Sequence, residues 1–264
     1  MRDVVYWPRA DRLVYLHAKA TPGFWDRHWQ AEGRPPVRDR HDDVVTVTRR
    51  YLPAGARILE GGCGRADRVK ALADAGFDAV GVDFAEQSVR QARLDFSSLD
   101  IRLGDVRALE FAAGTFDGYW SLGVIEHFWD GYDGILSEAA RILRPAGLLF
   151  LTAPWLSPYR RSKLRAGGYP STDFSAEPAS FYQFALCRKE VRTALERHGF
   201  QLLRWRGLAS DWSLKEEMTS LRQPIDWLLN SRGTLAKRVL RRVILSGLNG
   251  YCGHSFLAVA RRAA

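Results

Sequence analysis

Residues 57–67 constrain this chain more than any other segment, and they read RILEGGCGRAD. A short apolar run leads to Glu60 and a group of glycines. After the glycines, apolar residues recur at helical spacing, at Val69 and Leu72. Glycine is needed where the backbone takes positive φ angles or where a ligand must touch the main chain. The segment therefore predicts a strand, a tight turn and a helix whose free N–H groups favour an anionic or carbonyl-bearing ligand.

Two classes of ligand use such a turn. A dinucleotide fold requires Gly-x-Gly-x-x-Gly, but in a pattern that starts at Gly62 the third glycine is replaced by Asp67. The pattern Glu-x-Gly-x-Gly-x-Gly fits residues 60–66 except at the last position, which is alanine. This segment resembles motif I of the class I S-adenosylmethionine (SAM) dependent methyltransferases. The resemblance implies that the cofactor's amino acid end is held by Glu60, Gly61, Gly62, Cys63 and Gly64.

Acidic residues follow the next two apolar runs. Asp83 lies about 20 residues beyond the glycines, the spacing expected of a ribose-binding acid. Asp105 and Val106 follow the third run, where a carboxylate and a backbone amide can recognise adenine. The resemblance assigns Phe84 and Leu122 to the same cofactor site, with S-adenosylhomocysteine as the product.

Strand and helix patterns alternate from residue 57 to residue 153, which predicts a parallel sheet with right-handed crossovers. The resemblance implies a Rossmann-like, doubly wound α/β sheet of seven strands, with the last strand antiparallel, helices on both faces and a cap built from the N-terminal segment and insertions. We predict strands at 57–61, 78–83, 101–104, 116–122, 148–153, 200–206 and 255–260, with helices at 66–75, 86–96, 132–143 and 188–198.

We predict one domain over residues 1–264, with four parts. These are an N-terminal lid with helices (1–50), a cofactor-binding core (51–155), a substrate-loop insertion (156–185) and a C-terminal part (186–264) that carries an insertion at about 209–252. Residues 154–184 have no clear period and are predicted to be a long loop. In the C-terminal insertion an apolar helical face adjoins Lys237, Arg238, Arg241 and Arg242. Such a helix either packs on its own domain or lies on an anionic membrane.

Glu126 and His127 follow the fourth predicted strand and are the candidate catalytic residues. Imidazole is the side chain best suited to accept a proton near neutral pH. The pair resembles the Glu-x-x-Glu-His metal-binding segment of ubiquinone-biosynthesis O-methyltransferases, but Gly123 replaces the first acid, so we predict no metal. In the alternative interpretation His127 packs beneath the cofactor. The Asn/Asp-Pro-Pro-aromatic motif of enzymes that methylate nucleic-acid amines is absent here.

Four aromatic residues are candidates for substrate binding. Trp25 and Trp29 lie four residues apart, on one helical face. They either cover the core or close over the sulfonium of SAM, since a cation is attracted to a ring face. Tyr159 and Tyr182 fall in the predicted loop and are assigned to the acceptor pocket.

The net charge of +9 raises the possibility of an anionic partner. The arginines are scattered and mostly near acids, which favours a composition bias over a nucleic-acid site; peripheral membrane contact and a homodimer are left open. Three cysteines without a Cys-x-x-Cys pair indicate a reducing compartment. The absence of a long apolar run or a signal peptide predicts a cytoplasmic location.

These observations predict a SAM-dependent methyltransferase that modifies an oxygen or nitrogen nucleophile of a small molecule, such as a natural product, a quinone, or a lipid- or sugar-linked acceptor. Two alternatives remain at this stage. One is a SAM-binding protein without catalysis that serves as a partner for another protein. The other is a nicotinamide-dependent oxidoreductase.

Overall fold

The computed structural model describes residues 3–31, 43–218, 222, 223, 225, 244, 245 and 247–263. Its strands, in chain order, are β1 (Asp3–Trp7), β2 (Arg12–Leu16), β3 (Arg57–Gly61), β4 (Asp78–Asp83), β5 (Asp100–Leu103), β6 (Phe116–Leu122), β7 (Leu143–Pro154), β8 (Phe181–Ala185), β9 (Phe200–Leu208) and β10 (Ser255–Arg262). The helices with defined bounds are α1 (Pro22–Ala31), α2 (Asp43–Tyr51), α3 (Asp67–Asp74), α4 (Glu86–Asp95), α5 (Asp133–Ile142), α6 (Pro158–Arg165), α7 (Arg188–Arg197) and α8 (Ser210–Glu217).

Seven strands form the central sheet in the order β5-β4-β3-β6-β7-β10-β9. The first five of these run parallel, whereas β10 is antiparallel to both β7 and β9. The strand order reverses between β3 and β6, where open α/β sheets bind their ligands. The predicted α/β fold, with seven strands and an antiparallel last strand, is confirmed.

Helices cover both faces of this sheet. Leu59 and Tyr119 share one face with α5 and α7, and Ile58 and Trp120 share the other with α2, α3 and α4. Strands covered on both faces need apolar residues at successive positions, which explains the unbroken apolar runs in β3 and β4. Strand β7 begins earlier than the predicted start at residue 148, because Leu143 already pairs with Phe116 and a register shift separates that pair from the pair Gly118–Leu148.

A second, antiparallel sheet of three strands, β1-β2-β8, forms the cap. The prediction of a long loop at 154–184 is wrong, since this segment contains α6 and the start of β8. Ser157 caps α6 by accepting a hydrogen bond from the Arg160 backbone N–H, and Pro158 starts the helix. The aromatic run from Phe181 is buried because it pairs with β2, a contact that local periodicity could not reveal.

The predicted insertion at about 209–252 begins with α8, but Lys237, Arg238, Arg241 and Arg242 lie outside the described residues. Within the described ranges no helix is both long enough and apolar enough to cross a bilayer.

Candidate functional site

The glycine turn after β3 has the geometry of a ligand-binding cradle. Gly62 has a φ of +76°, and a Cβ there would lie 2.4 Å from a methyl carbon of Val124. Gly64 has a φ of +51°, and its Cβ would meet the ring of Trp29 at 2.9 Å. Ala66, which stands where motif I has its last glycine, also takes a positive φ, of 60°. The alanine at this position therefore keeps the positive φ angle that the glycine of the motif would adopt. In a residue with a Cβ this angle costs about 1–2 kcal/mol.

Two buried carboxyl groups flank this turn. Glu60 is 4% exposed, and its Oε2 has no hydrogen-bond partner among the described residues. Burial raises the pKa of Glu60 well above its ordinary value, and the negative charges of Asp83 and Asp67 raise it further. An orphaned buried carboxyl oxygen of this kind suits a ligand that brings its own ammonium group.

Asp83, at the end of β4, is held by the backbone around it. Its Oδ2 accepts a hydrogen bond from Gly64 N–H (2.7 Å) and its Oδ1 accepts one from Ala85 N–H (2.9 Å). Burial raises the pKa of Asp83 above its ordinary value, and these hydrogen bonds oppose that rise. The carboxylate is thereby fixed between the glycine turn and the start of α4.

A cavity of 210 Å³ lies at the carboxyl ends of the parallel strands. Six of the predicted cofactor residues line it: Gly62, Asp83, Phe84, Asp105, Val106 and Leu122. The other four, Glu60, Gly61, Cys63 and Gly64, do not line it and form or flank the turn beneath. Gly61 has no room for a side chain, since a Cβ would lie 2.3 Å from the Tyr119 hydroxyl oxygen.

Arg107 and Phe128 also line the cavity and were missed by the sequence analysis. Arg107 donates hydrogen bonds to the Asp105 carboxylate from its backbone N–H (2.8 Å) and from its guanidinium (2.6 Å at the shortest). These bonds lower the pKa of Asp105. The Arg107 guanidinium carbon also lies 5.0 Å from the centre of the Phe128 ring. The spacing of the two residues, with an arginine two positions after an aspartate that follows a strand, could have predicted this ion pair from the sequence.

His127 lies at the rim of the cavity, at the end of a short 3-10 helix, Ile125–His127. Its Nδ1 is 2.7 Å from the backbone carbonyl oxygen of Tyr182 in β8. The rings of Trp25 and Tyr182 contact the imidazole edge-on, with centroids 5.1 and 5.0 Å away. The cap sheet and α1 together therefore fix the orientation of the His127 ring.

The remaining predicted residues occupy different positions. Trp25 and Trp29 line the cavity, whereas Tyr182 is near it through His127 and does not line it. Tyr159 is on α6, where its ring is 6.1 Å from that of Tyr251, and it is not brought to this cavity.

Glu126 is buried beside the cavity wall. It is 3% exposed, its Oε2 has no partner among the described residues, and burial raises its pKa to about 8. A Cβ on Gly123 would lie 3.5 Å from its Oε1. Across the described parts of the chain no group of three or more His, Cys, Asp or Glu side chains is placed to hold a metal ion.

Helix α1 lies over the glycine turn and is held against the core by hydrogen bonds to α4 and to the turn. Buried Asp26 accepts hydrogen bonds from the backbone N–H (2.9 Å) and hydroxyl (2.8 Å) of Ser88, in the first turn of α4. The Arg65 guanidinium donates to the Trp29 carbonyl oxygen (3.2 Å). Trp25 and Trp29 of α1 form part of the wall of the cavity, whose 210 Å³ is below the roughly 300–1,000 Å³ usual for small-molecule sites.

Comparisons with known proteins agree with this geometry. The family described as "Methyltransferase domain" matches residues 59–151. A Mycolicibacterium smegmatis protein named "Probable S-adenosylmethionine-dependent methyltransferase" is 29% identical over 62% of this chain and 59% of its own length. A "Ubiquinone biosynthesis O-methyltransferase" of Methylocella silvestris is 33% identical over 53% of this chain and 50% of its own length. The match to these two relatives thus spans 59% and 50% of their length.

A solved structure of a [4+2]-cyclase, SpnF, superposes with a TM-score of 0.60 at 15% identity, covering 95% of this chain and 98% of its own. At that identity the likeness shows the fold alone, and one fold hosts different reactions. The sequence match over 59–151, in contrast, is to a methyltransferase-domain family, and the glycine cradle, the strand-end acids and most of the cavity they surround lie in that segment. Residues 59–151 thus form a domain of the class I S-adenosylmethionine-dependent methyltransferase type, and S-adenosylmethionine is the cofactor for which the Mycolicibacterium smegmatis relative is named.

Proposed function

We propose that this protein transfers the methyl group of SAM to an oxygen or nitrogen nucleophile of a small molecule, and that a hydroxyl on an aromatic ring is the acceptor to test first. The observation that carries the proposal is the orientation of His127. A backbone carbonyl oxygen can only accept a hydrogen bond, so the contact with Tyr182 places the proton of the neutral imidazole on Nδ1. The lone pair of His127 then resides on Nε2, the nitrogen that can act as a base.

The described residues fit SAM. Glu60 offers an orphaned carboxyl oxygen to the amino group of the cofactor, and the turn at Gly62 and Gly64 lets the backbone approach it closely. We assign Asp83 to the ribose hydroxyls and Asp105 with Val106 to adenine; the assignment is supported by the fact that all three line the cavity. The bound cofactor supplies an electrophilic methyl group on a sulfonium, which the ring of Trp25 can face favourably.

In this proposal His127 takes the acceptor's hydroxyl proton at Nε2 as the oxygen–methyl bond forms and the sulfur–methyl bond breaks, with S-adenosylhomocysteine as the leaving group, and afterwards releases the proton to water. A positioned general base of this kind contributes about 10²–10⁴-fold to the rate. Trp25 and Phe128 hold the acceptor, and the glycine turn holds the cofactor, so that the two are in line; for a good leaving group this alignment supplies most of the remaining acceleration. Glu126 is assigned a positioning role, because it is buried next to His127 and does not line the cavity.

Two findings favour an aromatic hydroxyl as the acceptor. The rim beside His127 is built from the rings of Trp25, Trp29 and Phe128, which suit a flat aromatic ring. In addition, several relatives, including one at 33% identity, are named ubiquinone biosynthesis O-methyltransferases. Gly123 removes one acid of their Glu-x-x-Glu-His segment, so in this chain proton removal is assigned to His127 rather than to a metal-bound group.

The first test is calorimetry with SAM, S-adenosylhomocysteine and NAD. We expect the first two to bind and NAD not to bind; binding of NAD alone would support the oxidoreductase alternative. The second test is methyl transfer from labelled SAM to a panel of catechols, phenols and amines. SAM binding with no turnover on any acceptor would favour the non-catalytic alternative.

The His127→Gln variant tests the base. We expect a rate reduced by about 10²–10⁴-fold, loss of the fall in rate at acidic pH, and an unchanged SAM affinity. Tyr182→Phe is the matched control, since it keeps the carbonyl oxygen and the ring that contact His127 and should retain the rate. A His127→Gln enzyme with nearly full rate would leave His127 only a packing role.

A further inference from the structure

A second cleft, of 890 Å³, lies between α6, the start of α7 and the edge strand β9, and it shares no lining residue with the cofactor cavity. We call it the basic cleft because six of the seven charged side chains that line it are cationic. Its cationic side chains are Arg161, Arg165, Arg188, Lys189, Arg204 and Arg206, and the acid among its lining residues is Asp11.

That acid is already neutralised. Arg161 donates hydrogen bonds to both oxygens of the Asp11 carboxylate, at 2.9 Å for the Nη2–Oδ2 pair. Within the described residues, none of the other five cations forms an ion pair or a hydrogen bond with an acid. The basic cleft therefore concentrates positive charge with which no acid of the described residues, apart from Asp11, is paired.

The composition of the chain does not account for this arrangement. The whole protein has 39 basic and 30 acidic residues, whereas the walls of the cleft have six against one. Some exposed arginines elsewhere do have partners: Arg102 pairs with Asp100, and Arg197 pairs with Asp133. Like charges repel one another, and salt at 0.1 M largely screens this repulsion only where the charges are more than about 10 Å apart. A bound anion would remove that repulsion.

Two further features define the kind of anion. Helix α7 begins in the cleft at Arg188 and Lys189, so the positive end of its dipole adds to the side-chain charge. The ring of Trp205, also on the wall, is stacked on Phe256 with centroids 4.1 Å apart, and Arg188 lies over it. That ring is therefore not open for stacking by a nucleobase, and recognition in the cleft relies on charge.

We propose that the basic cleft binds a ligand that carries a compact group of phosphates, at a site separate from the cofactor cavity. Guanidinium groups bind phosphate oxygens through paired, charge-assisted hydrogen bonds, and several unneutralised cations match a multiply charged anion better than a single carboxylate. Free polyphosphate and the phosphate headgroups of a lipid present the same chemistry.

The test uses the full chain without SAM, so its result does not depend on the methyl transfer proposed above. Calorimetry with inorganic tripolyphosphate compares the wild type with the double variant Arg204→Gln/Arg206→Gln. Both arginines are exposed on the edge strand β9, so the variant should fold. We expect its affinity to be about tenfold or more below that of the wild type. Raised salt should weaken binding to the wild type.

The charge-matched control is Arg50→Gln/Arg197→Gln, which removes two exposed arginines outside the cleft. It should bind tripolyphosphate as the wild type does. Phosphatidylcholine vesicles with and without phosphatidic acid distinguish the two sources of phosphate. Binding to the anionic vesicles that tripolyphosphate displaces and that the cleft variant loses would identify a lipid headgroup, and binding of tripolyphosphate alone would identify a free ligand.

Two results would overturn the proposal. One is that the wild type binds neither tripolyphosphate nor the anionic vesicles. The other is that the cleft variant and the control variant lose affinity equally, since the effect would then come from the total charge of the protein. Calorimetry with SAM on the cleft variant should give the wild-type affinity, which separates this site from the cofactor cavity.

Discussion

The attachment of α1 to α4 should govern how fast SAM enters and leaves, and Asp26→Ala tests this. Asp26 accepts two hydrogen bonds from Ser88, from the backbone N–H and from the hydroxyl. Because the first N–H groups of a helix have no partners within it, Asp26 acts as a cap for α4 supplied by another helix. Hydrogen bonds to a charged group contribute about 1.5–3 kcal/mol, so the closed position of α1 should weaken by about that amount.

That free energy corresponds to a change of about 10- to 100-fold in the equilibrium between closed and open α1. Part of the lost free energy destabilises α4 itself, so we expect the lower end of this 10- to 100-fold range. Dissociation of S-adenosylhomocysteine should therefore be about tenfold faster in Asp26→Ala. Stopped-flow fluorescence can measure this rate, because Trp25 and Trp29 are on α1 and line the cavity.

The matched control is Gln30→Ala on the same helix, which removes an exposed side-chain hydrogen bond to Gln87 (2.9 Å). An exposed bond of this kind contributes little, so its dissociation rate should stay near that of the wild type. If Asp26→Ala lowers the melting temperature but leaves the dissociation rate unchanged, Asp26 only stabilises the fold and the proposed role of α1 as a lid is refuted.

Two of the three further predictions concern the cofactor site, and the third concerns the buried carboxyl group of Glu126 beside it. Asp83→Ala should weaken SAM binding by about 1.5–3 kcal/mol in calorimetry while circular dichroism shows an intact fold; an unchanged affinity would contradict the ribose assignment. Gly62→Ala should lower both SAM affinity and melting temperature, since its φ of +76° costs about 1–2 kcal/mol and its Cβ would meet Val124 at 2.4 Å. Adding Val124→Ala should relieve the contact but not the backbone cost, so full recovery would show that φ is unimportant. Burial raises the pKa of Glu126 to about 8, so the folded state holds a proton that the unfolded state loses above its ordinary pKa. The free energy of unfolding should therefore fall as pH rises between about 5 and 8, by up to about 1.4 kcal/mol per unit relative to Glu126→Gln, and parallel pH profiles in chemical denaturation would disprove this.

The sequence predicted the core of the sheet well because the signals there are local. In β3, β4 and β6 the apolar runs are bounded by glycines and acids within a few residues, and the observed bounds agree with the prediction. The residues at the ends of these strands converge because parallel strands bring their carboxyl ends to one edge. Gly62, Asp83 and Val106 accordingly line one cavity.

The three-stranded cap sheet could not be predicted from local signals of this kind. Strand β8 is stable because it pairs with β2, which is far away in the chain, and no spacing within residues 154–184 indicates that partner. For the same reason the carbonyl oxygen of Tyr182, which sets the tautomer of His127, could not be foreseen. The start of α6, in contrast, has a local signal that could have predicted it: Ser157 is the N-terminal capping residue of the helix, and Pro158 is its first residue. Tyr159 was assigned to the acceptor pocket from composition alone, and α6 carries it elsewhere.

The position of β10 has a consequence for how this protein is made. Strand β9 pairs with β10, and β10 in turn pairs with β7, so β9 reaches the sheet only through a strand that follows it in the chain. During synthesis, β3 to β7 can assemble as soon as they leave the ribosome, while β9 and the arginines it carries must wait. A ribosome stalled before Ser255 would therefore display a nascent chain with its cofactor strands in place and with the edge of β7 still open to pairing with another chain.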